Sequence, residues 1–202
     1  MNFNLAPQKW GFICYTIQMN TIITIRDTDI YPNKQLITVA EWLERKTVKI
    51  ILKNNKNELA FVTNPIHGFC LLPGGGIEEG ENIEIAANRE CQEEVGWSIR
   101  DISILGYADE WRARDSKHYT TVCVVAQVDA PIDEDLRTTQ EKENGLHVVW
   151  FSFDKAFDVL KNQVAELREK EIPFYNTSFN ILRDYLFLEA YSESKNKLRN
   201  TI

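Results

Sequence analysis

The sequence of 202 residues lacks the features that define several common classes of protein. It has no extended run of Lys and Arg, and its formal net charge is −7, so we do not expect it to bind a nucleic-acid polymer or an anionic membrane nonspecifically. No apolar run reaches the roughly 18 residues that a membrane-spanning helix requires. Internal repeats and low-complexity tracts are also missing, which argues against repeat architectures.

Cysteine is scarce, and its spacing is irregular. Cys14, Cys70, Cys91 and Cys123 form no CxxC pair. Because disulfide frameworks and zinc sites need regular spacing, we interpret these residues as reduced thiols of a cytoplasmic protein. The first residues have neither a strongly basic start nor a clear cleavage site, so no signal peptide is predicted. Residues 1–18 are either an extra strand or an upstream extension of the reading frame, with Met19 as the initiator.

The pattern of apolar residues predicts strands interleaved with helices. The predicted strands span 21–25, 47–52, 59–63, 69–72, 98–106, 119–128 and 148–151. The predicted helices span 36–45, 83–95, 154–160 (with Asp154 as its N-cap), 163–170 and 178–192. This order indicates an α/β protein, an α/β/α sandwich with a mixed sheet. With 44% hydrophobic residues the chain can build one good core.

The most informative stretch is 71–97, which begins with the loop Pro73-Gly74-Gly75-Gly76. Consecutive glycines are unfavourable inside strands and helices, and they let a backbone approach a ligand closely. Asn82 is a suitable N-cap for the helix 83–95, and Gly96 suits the left-handed position that follows a helix. The stretch therefore predicts a glycine-rich loop that leads directly into a helix.

Three carboxylates lie on an unexpected face of this helix. Glu90, Glu93 and Glu94 span roughly 100° of arc and overlap the edge of the apolar face. Like charges at this spacing destabilise a helix, and partial burial costs more, unless a cation binds between them. All-oxygen ligands suit Mg²⁺ or Mn²⁺, and Arg89 can reach Glu93 one turn away. The alternative is an ordinary glutamate-rich surface helix.

The stretch resembles the Nudix box, Gly-x5-Glu-x7-Arg-Glu-U-x-Glu-Glu-x-Gly-U, where U is a bulky apolar residue. The fixed positions are all met, by Gly75, Glu81, Arg89, Glu90, Glu93, Glu94 and Gly96. The apolar positions are looser, because Cys91 is small and Trp97 is aromatic. The resemblance implies a Nudix α/β/α sandwich, with residues 46–202 as the hydrolase domain and 1–45 as an N-terminal extension that packs on it.

The resemblance also implies a metal-dependent pyrophosphohydrolase that cleaves a nucleotide substrate, such as a nucleoside triphosphate, by water attack at phosphorus. It implies Mg²⁺, with Mn²⁺ as an alternative, held by Glu90 and Glu94, with help from Glu93 and the Gly74 carbonyl. The general base is either a box glutamate such as Glu93 or a glutamate of the later loop, Glu141 or Glu143. Arg89 and Glu81 are expected to stabilise the junction of loop and helix.

Two alternatives to this function stay open. One is a Nudix domain that senses a nucleotide or sugar nucleotide without turnover, although such domains often lose box glutamates. The other is an isomerase of the same fold that acts on a prenyl diphosphate. Either would bind a small molecule, and the terminal segments leave room for a homodimer interface.

Substrate contacts are predicted at two places. Gly75 and Gly76 allow close approach of the diphosphate. In the segment 110–114, Trp111 could stack on a base, while Arg112, Arg114 or the nearby Lys117 could hold phosphate. The alternative for this segment is a charged hairpin tip without contact to substrate.

Overall fold

The computed structural model describes residues 21–35, 37–169 and 172–199. The strands of this described part are β1 (Thr21–Arg26), β2 (Leu43–Lys53), β3 (Leu59–Thr63), β4 (Trp97–Arg112), β5 (Lys117–Pro131) and β6 (His147–Phe151). Its helices are α1 (Asp27–Ile30), α2 (Ile83–Glu94), α3 (Thr139–Glu143), α4 (Phe153–Glu169) and α5 (Tyr175–Arg199), and a 3-10 turn spans Ala113–Asp115.

The strands form one mixed sheet in the order β1-β4-β5-β2-β3-β6. The pairs β1/β4 and β2/β5 are parallel, and the remaining neighbours are antiparallel. Helix α2 packs on one face through Ala87 and Cys91, while α4 and α5 pack on the other through Leu160 and Phe179. The predicted α/β/α sandwich with a mixed sheet is therefore confirmed.

Strand β2 is central, and both of its faces are covered. Val48 and Ile50 point toward α2, whereas Ile51 points toward α4 and α5. Side chains of a strand alternate between faces, so a strand buried on both sides reads as a nearly continuous apolar run. This burial explains the apolar, β-branched pattern that predicts a strand at 47–52, although Lys49 interrupts the apolar run.

The helix predicted at 36–45 is wrong. Residues 37–42 form no regular element, and β2 begins at Leu43. The reason is tertiary, because residues 43–46 pair in parallel with residues 117–120 of β5. Leu36 lies outside the described residues, as do the predictions that concern residues 1–18 and Met19.

Other boundaries also differ from the predictions. Strand β4 continues to Arg112, beyond the predicted end at 106, and 69–72 contributes only an isolated bridge between Leu71 and Val62. The two helices predicted at 154–160 and 163–170 are one helix, α4, and the Ser152 hydroxyl accepts a hydrogen bond from the Lys155 amide at its start. The polar residues between the two predicted segments simply lie on the solvent side of α4.

The N-terminal residues that the structure describes belong to the same sheet, because β1 pairs with the outer side of β4. The domain boundary at residue 46 stays a prediction. The cysteines among the described residues, Cys70, Cys91 and Cys123, are free thiols. None of the described helices combines the length and apolar character needed to cross a membrane.

Candidate active site

The glycine-rich loop is held against β2 by backbone hydrogen bonds. The Ile50 amide donates to the Pro73 carbonyl (3.0 Å), and the Val48 amide donates to the Gly75 carbonyl (2.9 Å). Gly74 has a φ of 124°, and a Cβ added there would overlap the Val48 carbonyl oxygen. Only glycine fits this close approach of loop and strand.

Gly75 brings the first box carboxylate against the loop backbone. A Cβ added at Gly75 would lie 2.6 Å from the Glu90 Oε1 atom. The Glu90 side chain itself is almost fully buried, with 8% of its surface exposed. The absence of a side chain at Gly75 therefore creates the space in which the Glu90 carboxylate lies.

Helix α2 forms as its sequence predicts. The Asn82 side chain accepts a hydrogen bond from the Ile85 amide (2.8 Å), and Gly96 follows the helix with a φ of 76°. Ala87 and Cys91 on the predicted apolar stripe are fully buried. Because Glu90 lies beside this stripe, the helix places a carboxylate at the edge of the core.

Arg89 connects the loop to the helix. Its guanidinium donates to Glu81 through Nε (2.8 Å) and to the Gly76 carbonyl through Nη2 (2.8 Å). Its Nη1 atom donates to Glu90 (2.8 Å) and to Glu93 (3.0 Å). These contacts place Glu81 and Arg89 at the junction of loop and helix, where the sequence analysis expected them, and they hold two of the box carboxylates side by side.

Glu94 points toward the loop from the other side. Its carboxylate accepts a hydrogen bond from the Gly74 amide (2.6 Å). Burial raises the pKa of Glu94 to about 7, although the positive charge of Lys49 opposes this rise. Burial also raises the pKa of Glu90, against the opposing effect of Arg89. Both carboxylates are therefore poorly solvated and would be stabilised by a further cation.

The charges around the loop are unbalanced. Among the box side chains and Lys49 there are four carboxylates and two cations: Arg89 pairs with Glu81, Glu90 and Glu93, and the charge of Lys49 acts on Glu94. The surplus is two negative charges, which suits one divalent ion, and hard carboxylate oxygens are the donors that Mg²⁺ and Mn²⁺ prefer. Across the described ranges, however, no three His, Cys, Asp or Glu side chains are already grouped as a metal site.

The Gly74 carbonyl, which the sequence analysis offered to a metal, accepts a hydrogen bond from the Lys49 ammonium. Lys49 also donates to the Leu72 carbonyl (3.0 Å), and its side chain is buried. Sequence reasoning missed this lysine. The signal that could have revealed it is a charged residue in the middle of the apolar strand 47–52.

The two candidate glutamates of the later loop lie on α3 in different surroundings. Glu141 closes a capping box with Thr138, whose amide donates to its carboxylate (2.7 Å). Its negative charge contributes to the raised pKa of Glu94. Glu143 is exposed in the last turn of α3. Glu141 is therefore the loop glutamate whose charge interacts with a box carboxylate, Glu94.

An open groove of about 660 Å³ borders the box. It is lined by Glu44, Arg45, Lys46, Gly76, Ile77, Glu78, Glu79 and Glu90. The groove therefore joins the glycine-rich loop, one box carboxylate and two basic side chains of β2, which is a suitable surface for a phosphate chain that carries metal ions.

Trp111 lies on the same sheet face as this groove. Its ring stacks on His118 (centroids 3.8 Å apart), and His118 is hydrogen-bonded to Glu44 of the groove (2.7 Å). Trp42 meets Trp111 edge-on, with centroids 5.0 Å apart. The two tryptophans line a pocket of about 280 Å³ together with Arg26, Asp27, Thr28, Ile37 and Ala113.

The interpretation of Arg112 as a phosphate ligand is contradicted. Arg112 points to the opposite sheet face from Trp111, is only 3% exposed and pairs with Glu110 (2.5 Å). It also donates to the Asn180 side chain of α5. Neighbouring residues of a strand face opposite sides, so Trp111 and Arg112 cannot share one site. Arg114 packs its guanidinium on the Tyr175 ring, 4.4 Å from its centroid, away from the box groove.

Residues 43–175 match the family model of the NUDIX domain, so the chain belongs to the Nudix hydrolase family. It is 31% identical over 122 residues to an RNA pyrophosphohydrolase of Psychrobacter sp. (strain PRwf-1), covering 54% of this chain and 70% of that protein. It is 36% identical over 67 residues to an RNA pyrophosphohydrolase of Actinobacillus pleuropneumoniae serotype 5b (strain L20), covering 33% of this chain and only 32% of that one.

The solved structures agree on the fold. The crystal structure of an ADP compounds hydrolase superimposes with a TM-score of 0.54 at 23% identity, covering 76% of this chain and 74% of that one. At this identity the similarity shows the architecture alone.

Proposed function

We propose that this protein is a divalent-metal-dependent pyrophosphohydrolase that cleaves a diphosphate linkage in a nucleotide. The observation that carries the proposal is the complete box folded as one unit. Arg89 holds Glu90 and Glu93 together, Glu94 lies against the glycine-rich loop, and Glu90 lines an open groove.

Glu90 and Glu94 are the proposed principal ligands of Mg²⁺ or Mn²⁺, with Glu93 assisting. Their poor solvation and the surplus negative charge support this assignment. The Gly74 carbonyl stays in the proposed ligand set, because the hydrogen bond from Lys49 uses only one of its two lone pairs. A bound divalent ion would neutralise charge on the leaving phosphate and lower the pKa of a bound water.

The chain's own residues orient the substrate and move the proton. The phosphates would lie along Gly75 and Gly76, where no side chain blocks the backbone. Glu141 is the preferred general base, because its charge raises the pKa of Glu94 and Glu143 is exposed at the end of α3. Arg89 keeps the box carboxylates in place rather than contacting phosphorus.

The pocket between Trp42 and Trp111 is the proposed position of the base. A planar ring that stacks on an aromatic side chain gains about 1–3 kcal/mol. Trp111→Ala should therefore raise KM for a nucleotide roughly tenfold while kcat changes little, and Trp111→Phe, which keeps a ring, should stay close to wild type. Equal KM values for the wild type and Trp111→Ala would refute this position of the base.

The names of the relatives favour a second substrate class. Two proteins similar to this chain are called RNA pyrophosphohydrolases, so an RNA end that carries a diphosphate linkage is an alternative to a free nucleotide. The net charge of −7 and the absence of a basic run favour the free nucleotide.

The test is a substrate panel with Mg²⁺, in which phosphate and pyrophosphate are measured separately. It includes ordinary and oxidised nucleoside triphosphates, ADP-ribose, nucleotide sugars, dinucleoside polyphosphates and a 5′-triphosphorylated RNA oligonucleotide. We expect one class to be hydrolysed well above the rest, and the Glu94→Gln variant to be inactive on it. Binding of a panel member without turnover would instead support the sensing domain.

A further inference from the structure

The glycine-rich loop is also held from inside the protein, by a buried lysine. Lys49 of β2 points toward the α5 side of the sheet, and its ammonium donates to the carbonyls of Leu72 (3.0 Å) and Gly74. Only 8% of its surface is exposed. A buried ammonium is costly unless its donors are satisfied, so its two carbonyl partners fix both the lysine and the loop.

Helix α5 supplies the second contact. The carboxylate of Asp184 is fully buried and accepts a hydrogen bond from the Leu72 amide (2.8 Å). The Pro73 carbonyl is bound by the Ile50 amide, and the Gly74 amide binds Glu94. Each backbone polar group from the Leu72 amide to the Gly74 carbonyl thus has a partner. A shift of this segment would break these hydrogen bonds and leave buried polar groups without partners, which is costly.

Asp184 is itself fixed by a chain of buried charges. Arg183 donates to Asp184 (2.9 Å) and to Glu110 (3.1 Å), and all three side chains are at most 2% exposed. These ion pairs connect helix α5 to the glycine-rich loop, so the position of the helix determines where Asp184 meets the Leu72 amide. Because Asp184 lies beyond residue 175, where the match to the family model ends, α5 adds a support that the box motif does not contain.

We propose that Lys49 and Asp184 are positioning residues that clamp the Leu72–Gly74 segment and thereby set where the Glu94 carboxylate lies. The Gly74 amide is the partner of Glu94, so a shift of the segment moves this carboxylate relative to Glu90. The inference rests on the proposed function, since its consequence is the affinity of the box for a divalent ion.

The test compares Lys49→Met with wild type and with the control Lys56→Met, at an exposed lysine in the turn between β2 and β3. Mn²⁺ affinity is measured from the electron paramagnetic resonance signal of the free ion, and stability from urea unfolding without metal. Substitution of a residue that orients a metal ligand typically lowers the metal affinity by about 10–100-fold. We expect Lys49→Met to weaken Mn²⁺ binding at least tenfold, and Lys56→Met to leave it within twofold.

Mn²⁺ affinity separates this role from a purely structural one. If Lys49 served only stability, Lys49→Met would lower the unfolding midpoint, while the folded variant would bind Mn²⁺ as wild type does. That result overturns the proposal, and so does tighter binding, which would mean that Lys49 competes with the ion. Hydrogen exchange of the Leu72 and Gly74 amides should be accelerated in Lys49→Met, and unchanged exchange also counts against the clamp.

A second pair of variants covers a failure of Lys49→Met to fold. Asp184→Ala removes the acceptor of the Leu72 amide, whereas Asp184→Asn keeps an oxygen there. We expect Asp184→Ala to weaken Mn²⁺ binding and Asp184→Asn to recover most of the affinity. Equal affinities for these two variants would overturn the role of Asp184. If the wild-type protein does not bind Mn²⁺, the proposed function is overturned instead. Hydrogen exchange of the Leu72 and Gly74 amides would then test whether Lys49 and Asp184 hold the segment in place.

Discussion

Two clusters of charged side chains lie on opposite sides of the glycine-rich loop. The outer cluster consists of Glu81, Arg89, Glu90, Glu93 and Glu94. The inner cluster consists of Glu110, Arg112, Arg183 and Asp184. The outer cluster has four carboxylates for one guanidinium and borders an open groove, whereas the inner cluster is balanced and at most 3% exposed.

The same residue types therefore serve two purposes. In a balanced and fully buried cluster the charges neutralise one another, and breaking one of its pairs leaves an isolated charge inside the protein. An unbalanced cluster beside solvent has an excess of negative charge that a cation from outside can neutralise. The difference supports our proposals that the outer cluster carries the chemistry and that the inner one supports the loop.

The largest effect is expected for Glu94→Gln in the outer cluster. Loss of one proposed metal ligand should lower kcat by about a thousandfold. The free energy of unfolding without metal should stay the same or rise, because Glu94 is a poorly solvated carboxylate. Steady-state kinetics and urea unfolding measure the two quantities. Glu84→Gln, on the exposed side of the same helix, is the control, and Glu94→Gln activity within a few-fold of wild type would refute the assignment.

For Glu110→Gln in the inner cluster we expect a loss of stability rather than a loss of a metal ligand. Removing one charge of a buried pair costs about 3–5 kcal/mol of unfolding free energy, because Arg183 and Arg112 lose their partner. Asp101→Asn is the control at an exposed pair with Arg100, where less than about 1 kcal/mol is expected. A loss below 1 kcal/mol in Glu110→Gln, measured by urea unfolding, would show that the inner cluster does not stabilise the fold.

Low pH should separate the clusters further. Burial alone would raise the pKa of Glu110, but Arg183 and Arg112 outweigh it and lower the pKa from 4.5 to about 2. A lowered pKa in the folded state contributes stability that is present above pH 4.5 and is lost as the pH falls toward 2. The difference in unfolding free energy between wild type and Glu110→Gln should therefore shrink over this range. A difference that stays constant would exclude Glu110 as the titrating group.

Most of the outer cluster is predictable from sequence, because four of its five residues lie close together on one helix. Helical periodicity predicts that Glu90 lies beside the apolar stripe, and the i,i+4 spacing of Arg89 and Glu93 predicts their contact. The central strands were equally clear, since burial on both faces gives continuous apolar runs. Helix α2 and strands β2, β3, β5 and β6 were accordingly placed within a few residues of their ends.

The inner cluster was not predictable, because its members are distant in sequence and meet only in the folded protein. The prediction that Arg112 holds phosphate is wrong because the sequence does not show which face of β4 is covered by α5. The false helix at 36–45 has the same origin, since pairing with β5 overrides a local helical pattern. Lys49 gave the one local signal, a charge inside a buried strand.

The smallest effect concerns the loop glutamates, which the sequence could not separate. Glu141 raises the pKa of Glu94 through its charge, whereas Glu143 is exposed at the end of α3. We expect Glu141→Gln to lower kcat by about ten- to a hundredfold, at the low end for a general base, and Glu143→Gln to change it less than about twofold. Because Glu141 also caps α3, urea unfolding must show that both variants are folded. A larger loss of kcat in Glu143→Gln than in Glu141→Gln would reverse the assignment. Wild-type kcat in both variants would restrict catalysis to the box carboxylates.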